Sequence, residues 1–344
     1  MEQELSTKQP NDLSKQERDR FSYTALSTFE NCPRSFMYKY ILHERPEEST
    51  IATEIGSILH KGRELVSTAL MQGQKPDYEG IKRIVYEGWT GHDKANGDRI
   101  EQLMGINDIK VNYWEDWMAE EEGIPSYNQR MQTYLDHLRD EEQNTEWHPI
   151  AAEKQFSYLY GGVELFGVID KIEENDKGQL RIIDYKSSKK VYDEKKLKSP
   201  LQLYVYTLAV QQMYPDKEIE GCYYDFIMLG EVVQGGTKGW ESRCQKKLQK
   251  LVDGVKLGKI NKSWKPKPSP LCYWCSYSYN NPKSQDPYRY MCPYYSLWTP
   301  QVKTFEVAQK WDEETDKMLT GGNQNASQTN KGNETKANDF CFIF

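Results

Sequence analysis

No apolar run in this 344-residue chain is long enough to cross a bilayer, which argues against a helical membrane protein. A secretory pattern is also missing: Met1 to Arg20 is polar and of mixed sign, so a cytoplasmic chain is expected. Internal repeats are absent, and so is an overall positive charge; the formal net charge is -7. The chain is polar, with a mean hydropathy of -0.86 and 28% charged residues, yet 12% aromatic content argues against general disorder. In an intracellular setting the seven cysteines are expected as thiols or metal ligands rather than as disulfides.

The acidic average hides segregation. From Lys238 to Lys267 there are ten Lys/Arg against two Asp/Glu, and from Lys186 to Lys198 six Lys against two acids. Such stretches, Lys189 and Lys190 among them, are either solvated helix faces or tracks for a phosphate backbone.

Three segments, 149-160, 163-174 and 179-187, read as strands of Val, Ile, Leu, Phe and Tyr bounded by Gly, Asn and Asp. Gly161-Gly162 makes a two-residue hairpin turn that pairs Tyr160 with Val163 and, counting outward, sets Glu153 opposite Asp170. Asp176-Lys177-Gly178 makes a three-residue turn that sets Asp170 opposite Asp184. Like charges facing one another on a sheet repel, and a divalent cation would remove that cost. Lys186, two residues after Asp184, falls on the same face. Phosphodiester hydrolysis needs this chemistry: carboxylates and a backbone carbonyl for Mg²⁺ or Mn²⁺, and a lysine to orient water and balance charge.

Elsewhere, Phe21 to His43 and Thr53 to Met71 read as helices, and 78 to 143 as a largely helical stretch rich in Trp, Tyr and Glu. Pro200 opens a crossover helix, Leu201 to Met213. A fourth strand (Ile219 to Leu229), a basic helix (Trp240 to Leu257) and a Pro-, Tyr- and Cys-rich loop (263-296) follow. A last helix spans about 302-319, and a low-complexity segment, 320-338, carries an apolar tip, Phe340 to Phe344.

Read together, Ser22 to Tyr40 with Cys32-Pro-Arg34, Gly56-Ser-Ile-Leu-His60, the Asp170 strand, Asp184-Tyr-Lys186 and Gln202-Leu-Tyr-Val-Tyr206 resemble the motifs of the PD-(D/E)XK nuclease superfamily. The likeness is to its RecB-type members, including the iron–sulfur nucleases of AddB-like proteins and of CRISPR adaptation. It spans roughly 21-295 with the motifs in family order. One departure is Ile169, which stands where the family has Pro.

The resemblance implies an α/β fold: a restriction-endonuclease-like core, a small mixed sheet flanked by helices, with a helical lobe and a C-terminal cysteine region. The divisions it suggests are a flexible N-terminus (1-20), the helical lobe (21-148), the nuclease core (149-262), the cysteine segment with its closing helix (263-319) and a disordered tail (320-344). His60, Asp170, Asp184 and the Tyr185 carbonyl would be metal ligands, and Lys186 would position water. Glu153 would be a supporting carboxylate. Gln202 and Tyr206 would contact DNA or brace the site, with Arg34, Lys189 and Lys190 also at DNA.

Cys272-Tyr-Trp-Cys275, Cys292-Pro and Cys32 offer four thiolates, a set that suits either zinc or an iron–sulfur cluster. The resemblance favours a structural [4Fe-4S] cluster. Sixteen residues between Cys275 and Cys292 replace a much shorter family spacing, and Cys222, Cys244 and Cys341 read as free thiols.

The function expected is a Mg²⁺- or Mn²⁺-dependent DNA exonuclease on DNA ends, 5′ to 3′ on single strands, in recombination, repair or viral DNA processing. It would work in the cytoplasm, the host's if viral. The alternative is a silent DNA-binding or assembly protein that keeps the fold. Phe340 to Phe344 on its tether would dock on a replication or recombination protein or fold onto its own domain, no membrane is involved, and ring-forming relatives leave an oligomer open.

Overall fold

The computed structural model describes residues 19–45, 51–90, 127–144, 146–278 and 291–292. The expected N-terminal lead (up to 18), the closing helix near 302-319, the tail with Phe340 to Phe344, and most of the Cys275–Cys292 insert lie outside these residues. The chain divides into two units, Met1–Leu26 with Glu47–Asp253, and Ser27–Pro46 with Gly254–Phe344. The expected helical lobe is thereby split. The stretch carrying Cys32 belongs with the C-terminal cysteines, while the helices after 47 share a unit with the strands.

In chain order the elements of the first unit begin with a short strand β1 (Arg20–Ser22) and the start of helix α1 (Tyr23–Asn31), where a single long helix from Phe21 was expected. A helix α3 (Ile51–Met71), α4 (Tyr78–Thr90), α5 (Tyr127–His137) and the short α6 (Asp140–Gln143) follow. Then come β2 (Trp147–Tyr160), β3 (Val163–Asn175), β4 (Leu180–Tyr185), α7 (Glu194–Lys198), α8 (Leu201–Met213), β5 (Ile219–Phe226), β6 (Glu231–Gln234) and the first part of α9 (Trp240–Asn261), whose remainder from Gly254 belongs to the second unit. The helix α2 (Pro33–Phe36) and a π-turn Met37–Ile41 belong to the second unit.

The six strands form one mixed sheet, ordered β1-β3-β4-β5-β6 with β2 on β3. Both hairpins carry the turns that the glycines dictate. Gly161 and Gly162 take φ of 56° and 83°, and Tyr160 pairs with Val163. Gly178 has φ 78°, and the Asn175 N–H donates to the Gln179 carbonyl across three turn residues. Because β2 lines one edge of β3 from 163 to 175, β1 (at 164–166) and β4 (at 171–174) share the other edge. Around Asp170 that second edge carries neither strand. The crossover helix α8 links β4 to its parallel neighbour β5, as the Pro200 start implied.

One face of the sheet meets α3, α4 and α5. Ile183 and Tyr185 of β4 pack with Leu59, Val66, Ile81, Val85, Tyr134, Ile227 and Met228, all buried. Each fully buried aliphatic side chain here is worth about 1.5–3 kcal/mol. Against α8 lie the alternate residues of the parallel pair. Thr207 Oγ1 sits 3.2 Å from Cys222 Sγ, and the Tyr158 hydroxyl donates to the Val205 carbonyl at 3.0 Å. This alternation sends Asp184 to one face and Tyr185 to the other.

A buried ionic network also lies on the α3 side. Lys171 Nζ is 2.8 Å from Glu173 and 3.4 Å from Glu141, while Arg181 pairs with Glu173. Arg63 Nη2 is 3.7 Å from Asp225. Sequence patterning gave no sign of it, since a charged residue in an alternating strand reads as solvent-facing.

The second unit is built on aromatic packing. Phe29, Phe36 and Trp264 meet with ring centroids 5.4–6.2 Å apart, and the Tyr38 and Tyr277 rings are 5.0 Å apart. The chain breaks between α1 and α2 at Cys32, whose backbone is extended (φ -158°), because Pro33 supplies no N–H to continue α1.

Candidate active site and cysteine cluster

The two acids of β3 and β4 stand where the strands part. The backbone ladder ends at Lys171↔Ile183, and the next amide along, Tyr185 N–H, donates instead to Asp170 Oδ2 at 2.6 Å. On the other side, Ala152↔Lys171 and Lys154↔Ile169 bracket Glu153, which therefore faces Asp170. Glu153 adopts a left-handed conformation, φ 45°, that a non-glycine residue rarely takes in a strand.

His60 reaches this row from α3. Its Nδ1 is 3.4 Å from Asp170 Oδ1, and its ring meets the Tyr185 ring edge-on at 5.6 Å. Gly56, one turn earlier, lets the helix approach. A Cβ there would sit 3.3 Å from Ser187 Oγ, just beyond Lys186. Ligand atoms of His60, Glu153 and Asp170 all lie within 4.8 Å of one another. One imidazole and two carboxylates within that radius form a donor set that fits a hard or borderline divalent cation.

Asp184 is engaged differently. Its carboxylate pairs with Lys186 Nζ, which also donates to Gln202 Oε1 at 3.2 Å. Gln202 Nε2 in turn donates to the Tyr206 hydroxyl at 2.9 Å. The Gln202 and Tyr206 positions thus form a brace behind Lys186, four residues apart on one face of α8.

Electrostatics mark the row as a place that wants positive charge. Burial raises the Asp184 carboxyl to about 6; Lys186 opposes this and Asp170 adds to it. Glu153 is raised by burial and by Asp170. For His60, burial alone would lower the pKa, but Asp170, Asp184 and Glu153 outweigh it and hold the imidazole above its ordinary value. Lys186 is likewise lowered by burial and raised further by Asp184, with a net upward shift. Clustered groups of this kind concentrate at functional sites.

One expected DNA contact lies elsewhere. Arg34 is a correction: it is 6% exposed and its Nε donates to the Trp264 carbonyl at 3.0 Å, inside the second unit. Its neighbour Pro33 starts α2. Tyr206 is buried and its hydroxyl accepts from Gln202, which is the bracing arrangement named for it beside DNA contact. Lys189 and Lys190 lie on the segment after β4, Lys190 exposed.

In the second unit Cys32, Cys272, Cys275 and Cys292 come from three stretches of chain. Lys267 N–H donates to Cys32 Sγ at 3.5 Å and Ser269 N–H to Cys272 Sγ at 3.4 Å. Cys292 N–H donates to the Tyr277 carbonyl at 3.0 Å, and Ser278 bridges to Cys292, so the long insert returns to the C-x-x-C. Burial raises the Cys275 thiol to about 11, and the neighbouring Cys32 and Cys272 add to the shift. Cys32, Cys272 and Cys275 are thus neighbouring thiols, with backbone N–H groups aimed at two of the sulfurs, and Cys292 is tied to the same stretch through its backbone. Cys222 and Cys244 are free thiols, both buried; Cys341 lies outside the described residues.

A family model described as the PD-(D/E)XK nuclease superfamily matches residues 20–279. Over 178 residues, 48% of this chain, the sequence is 28% identical to an ATP-dependent helicase/deoxyribonuclease subunit from Carboxydothermus hydrogenoformans. That segment is 16% of the relative, which is far longer than the present chain. The family match runs through the acid row, the Lys186 strand, the crossover helix and the mixed sheet that carries them, and the chain belongs to the PD-(D/E)XK nuclease superfamily.

Proposed function

We propose that this protein is a metal-dependent deoxyribonuclease that degrades DNA from its ends, with single strands cut 5′ to 3′. The observation that carries the reading is the juxtaposition of His60 from α3 with Glu153 and Asp170 on β2 and β3, beside Asp184 on β4 and the Lys186 that follows it. The relative's name, which contains helicase/deoxyribonuclease, supports DNA as the substrate.

His60, Asp170, Asp184 and the Tyr185 carbonyl would hold Mg²⁺ or Mn²⁺, with Glu153 as a supporting carboxylate. The bound cation supplies Lewis acidity toward the scissile phosphate and a more acidic water. The residues supply the rest. Lys186 places a fixed positive charge beside Asp184 and orients the attacking water, and Gln202 holds the ammonium at that point. Tyr206 fixes Gln202. Asp170 is oriented by the Tyr185 amide, which leaves its second oxygen toward His60. Lys189 and Lys190 would track the DNA backbone. A [4Fe-4S] cluster on Cys32, Cys272, Cys275 and Cys292 would clip the second unit together, tying residues more than two hundred positions apart.

Digestion of end-labelled single- and double-stranded DNA, 5′ and 3′, with Mg²⁺ and with Mn²⁺, tests the reading. Asp184→Ala and Lys186→Ala are expected to abolish cleavage; unchanged activity in both sinks it.

A further inference from the structure

Between the two cysteines of the C-x-x-C, Tyr273 and Trp274 are 48% and 69% exposed. Their rings contact at right angles, centroids 4.9 Å apart and planes at 85°. The backbone beneath them is held firmly. A 3₁₀ turn, Pro270–Trp274, is capped by Ser269, whose side chain accepts the Leu271 N–H at 3.3 Å while its own N–H donates to Cys272 Sγ. A tryptophan this exposed on a rigid turn leaves most of a large apolar ring in water, at a free-energy cost that a ligand would recover.

The surrounding charge indicates what that ligand is. From Gly254 to Cys275 the chain has five lysines, Lys256, Lys259, Lys262, Lys265 and Lys267, and no Asp or Glu. All five are exposed. Lys267 Nζ donates to the Glu30 carbonyl at 2.9 Å, so Lys262 and Lys265 are the foremost candidates for phosphate. Exposed aromatic rings at the end of an acid-free, lysine-bearing stretch of chain match a single-stranded polyanion with unstacked bases better than an apolar protein surface.

We propose that Tyr273 and Trp274 form a stacking platform for an unpaired base of single-stranded DNA, with Lys262 and Lys265 on the adjoining phosphates. The proposal rests on the nuclease reading for the identity of the polyanion, and deepens it by naming a strand contact in the second unit. Every base has a π-face, so the platform holds single strands without sequence preference.

The test uses the full chain carrying Asp184→Ala, so that bound DNA survives, and fluorescein-labelled oligothymidine followed by anisotropy. Trp274→Ala is expected to weaken binding about 5- to 150-fold, which is ~1–3 kcal/mol for one stacked base. Trp274→Phe keeps most of the affinity, whereas Trp274→Leu, apolar but not planar, behaves like alanine. Should the variants fail to fold, photocrosslinking of an iodouracil-substituted strand to the Trp274 parent decides, with adducts expected on Tyr273 or Trp274. Trp274→Leu binding within about twofold of its parent, or adducts that map wholly elsewhere, overturns the proposal. So does loss of self-association in Trp274→Ala with oligothymidine binding unchanged, which would make the surface a contact between copies. Failure of the nuclease reading shows separately, as hydrolysis that survives Asp184→Ala.

Discussion

Glu153 faces Asp170 across the β2–β3 ladder, and it does so from a left-handed backbone with φ 45°. A non-glycine residue in that region costs on the order of 1–3 kcal/mol, and the facing carboxylate adds repulsion. Both costs fall at one position that contributes a ligand atom to the candidate metal centre. Function and stability therefore pull apart at this residue.

Glu153→Gly should relieve the backbone strain and the repulsion together. In EDTA its Tm is expected to rise, by a shift corresponding to up to about 1 kcal/mol. With Mg²⁺ its nuclease rate should fall. A lower Tm than the parent would show that the left-handed conformation is not a burden.

Gln202 touches Lys186 and Tyr206 but none of the three grouped metal-ligand candidates. Gln202→Ala should lower kcat roughly tenfold, against a loss on the order of 10²-fold or more for Lys186→Ala, since the brace positions a charge that the second change removes. Equal losses in the two variants would mean that Gln202 does more than hold the ammonium.

Glu173 and Asp225 predict an acid limit to stability. Burial alone would raise Glu173 from 4.5, yet Lys171 and Arg181 outweigh it and hold the carboxyl below that value. Asp225 is held below 3.8 by Arg63 and His137 in the same way. A carboxyl depressed in the folded state stabilises the fold fully above its unfolded pKa, and the gain is lost as pH falls through the folded value. The contribution of these two carboxyls to the unfolding free energy should thus be steady above about pH 5 and decline steeply below about pH 4. Lys171→Met, which leaves Glu173 and Glu141 facing each other in the interior, should cost about 3–5 kcal/mol at neutral pH. Urea titrations from pH 3 to 7 check both, and a flat profile would contradict them.

Gly62 marks where α3 and α5 meet. A Cβ there would clash with the Tyr134 hydroxyl, which itself donates to the Leu59 carbonyl at 2.7 Å. Alanine gains about 1 kcal/mol of helix propensity, but displacing a buried, hydrogen-bonded tyrosine costs ~1–3 kcal/mol. Gly62→Ala should lower stability on balance, read as a reduced urea midpoint with unchanged slope. A raised midpoint would show that Tyr134 moves aside freely.

Cys275→Ser and Cys32→Ser should each abolish the broad visible absorption expected of anaerobically purified protein carrying a cluster. Zinc without colour would instead assign the tetrathiolate site to a zinc staple.

Local chemistry in the sequence determined the register of the acid row. Gly161-Gly162 and Gly178 set two turn types, turn type sets pairing, and pairing puts Glu153 opposite Asp170 and ends the β3–β4 ladder one residue short of Asp170 and Asp184. Pro200 likewise placed α8, and with it the four-residue spacing from Gln202 to Tyr206. What no local pattern carries is contact between distant segments. Tertiary packing decided that Asp184 pairs with Lys186 while His60 joins Glu153 and Asp170, and that Arg34 turns inward to Trp264. It also decided that Lys171, Glu173, Arg63 and Asp225 are buried together. A strand's alternation says which residues share a face, but only the elements packed on that face determine whether it meets water, an ion or another charge.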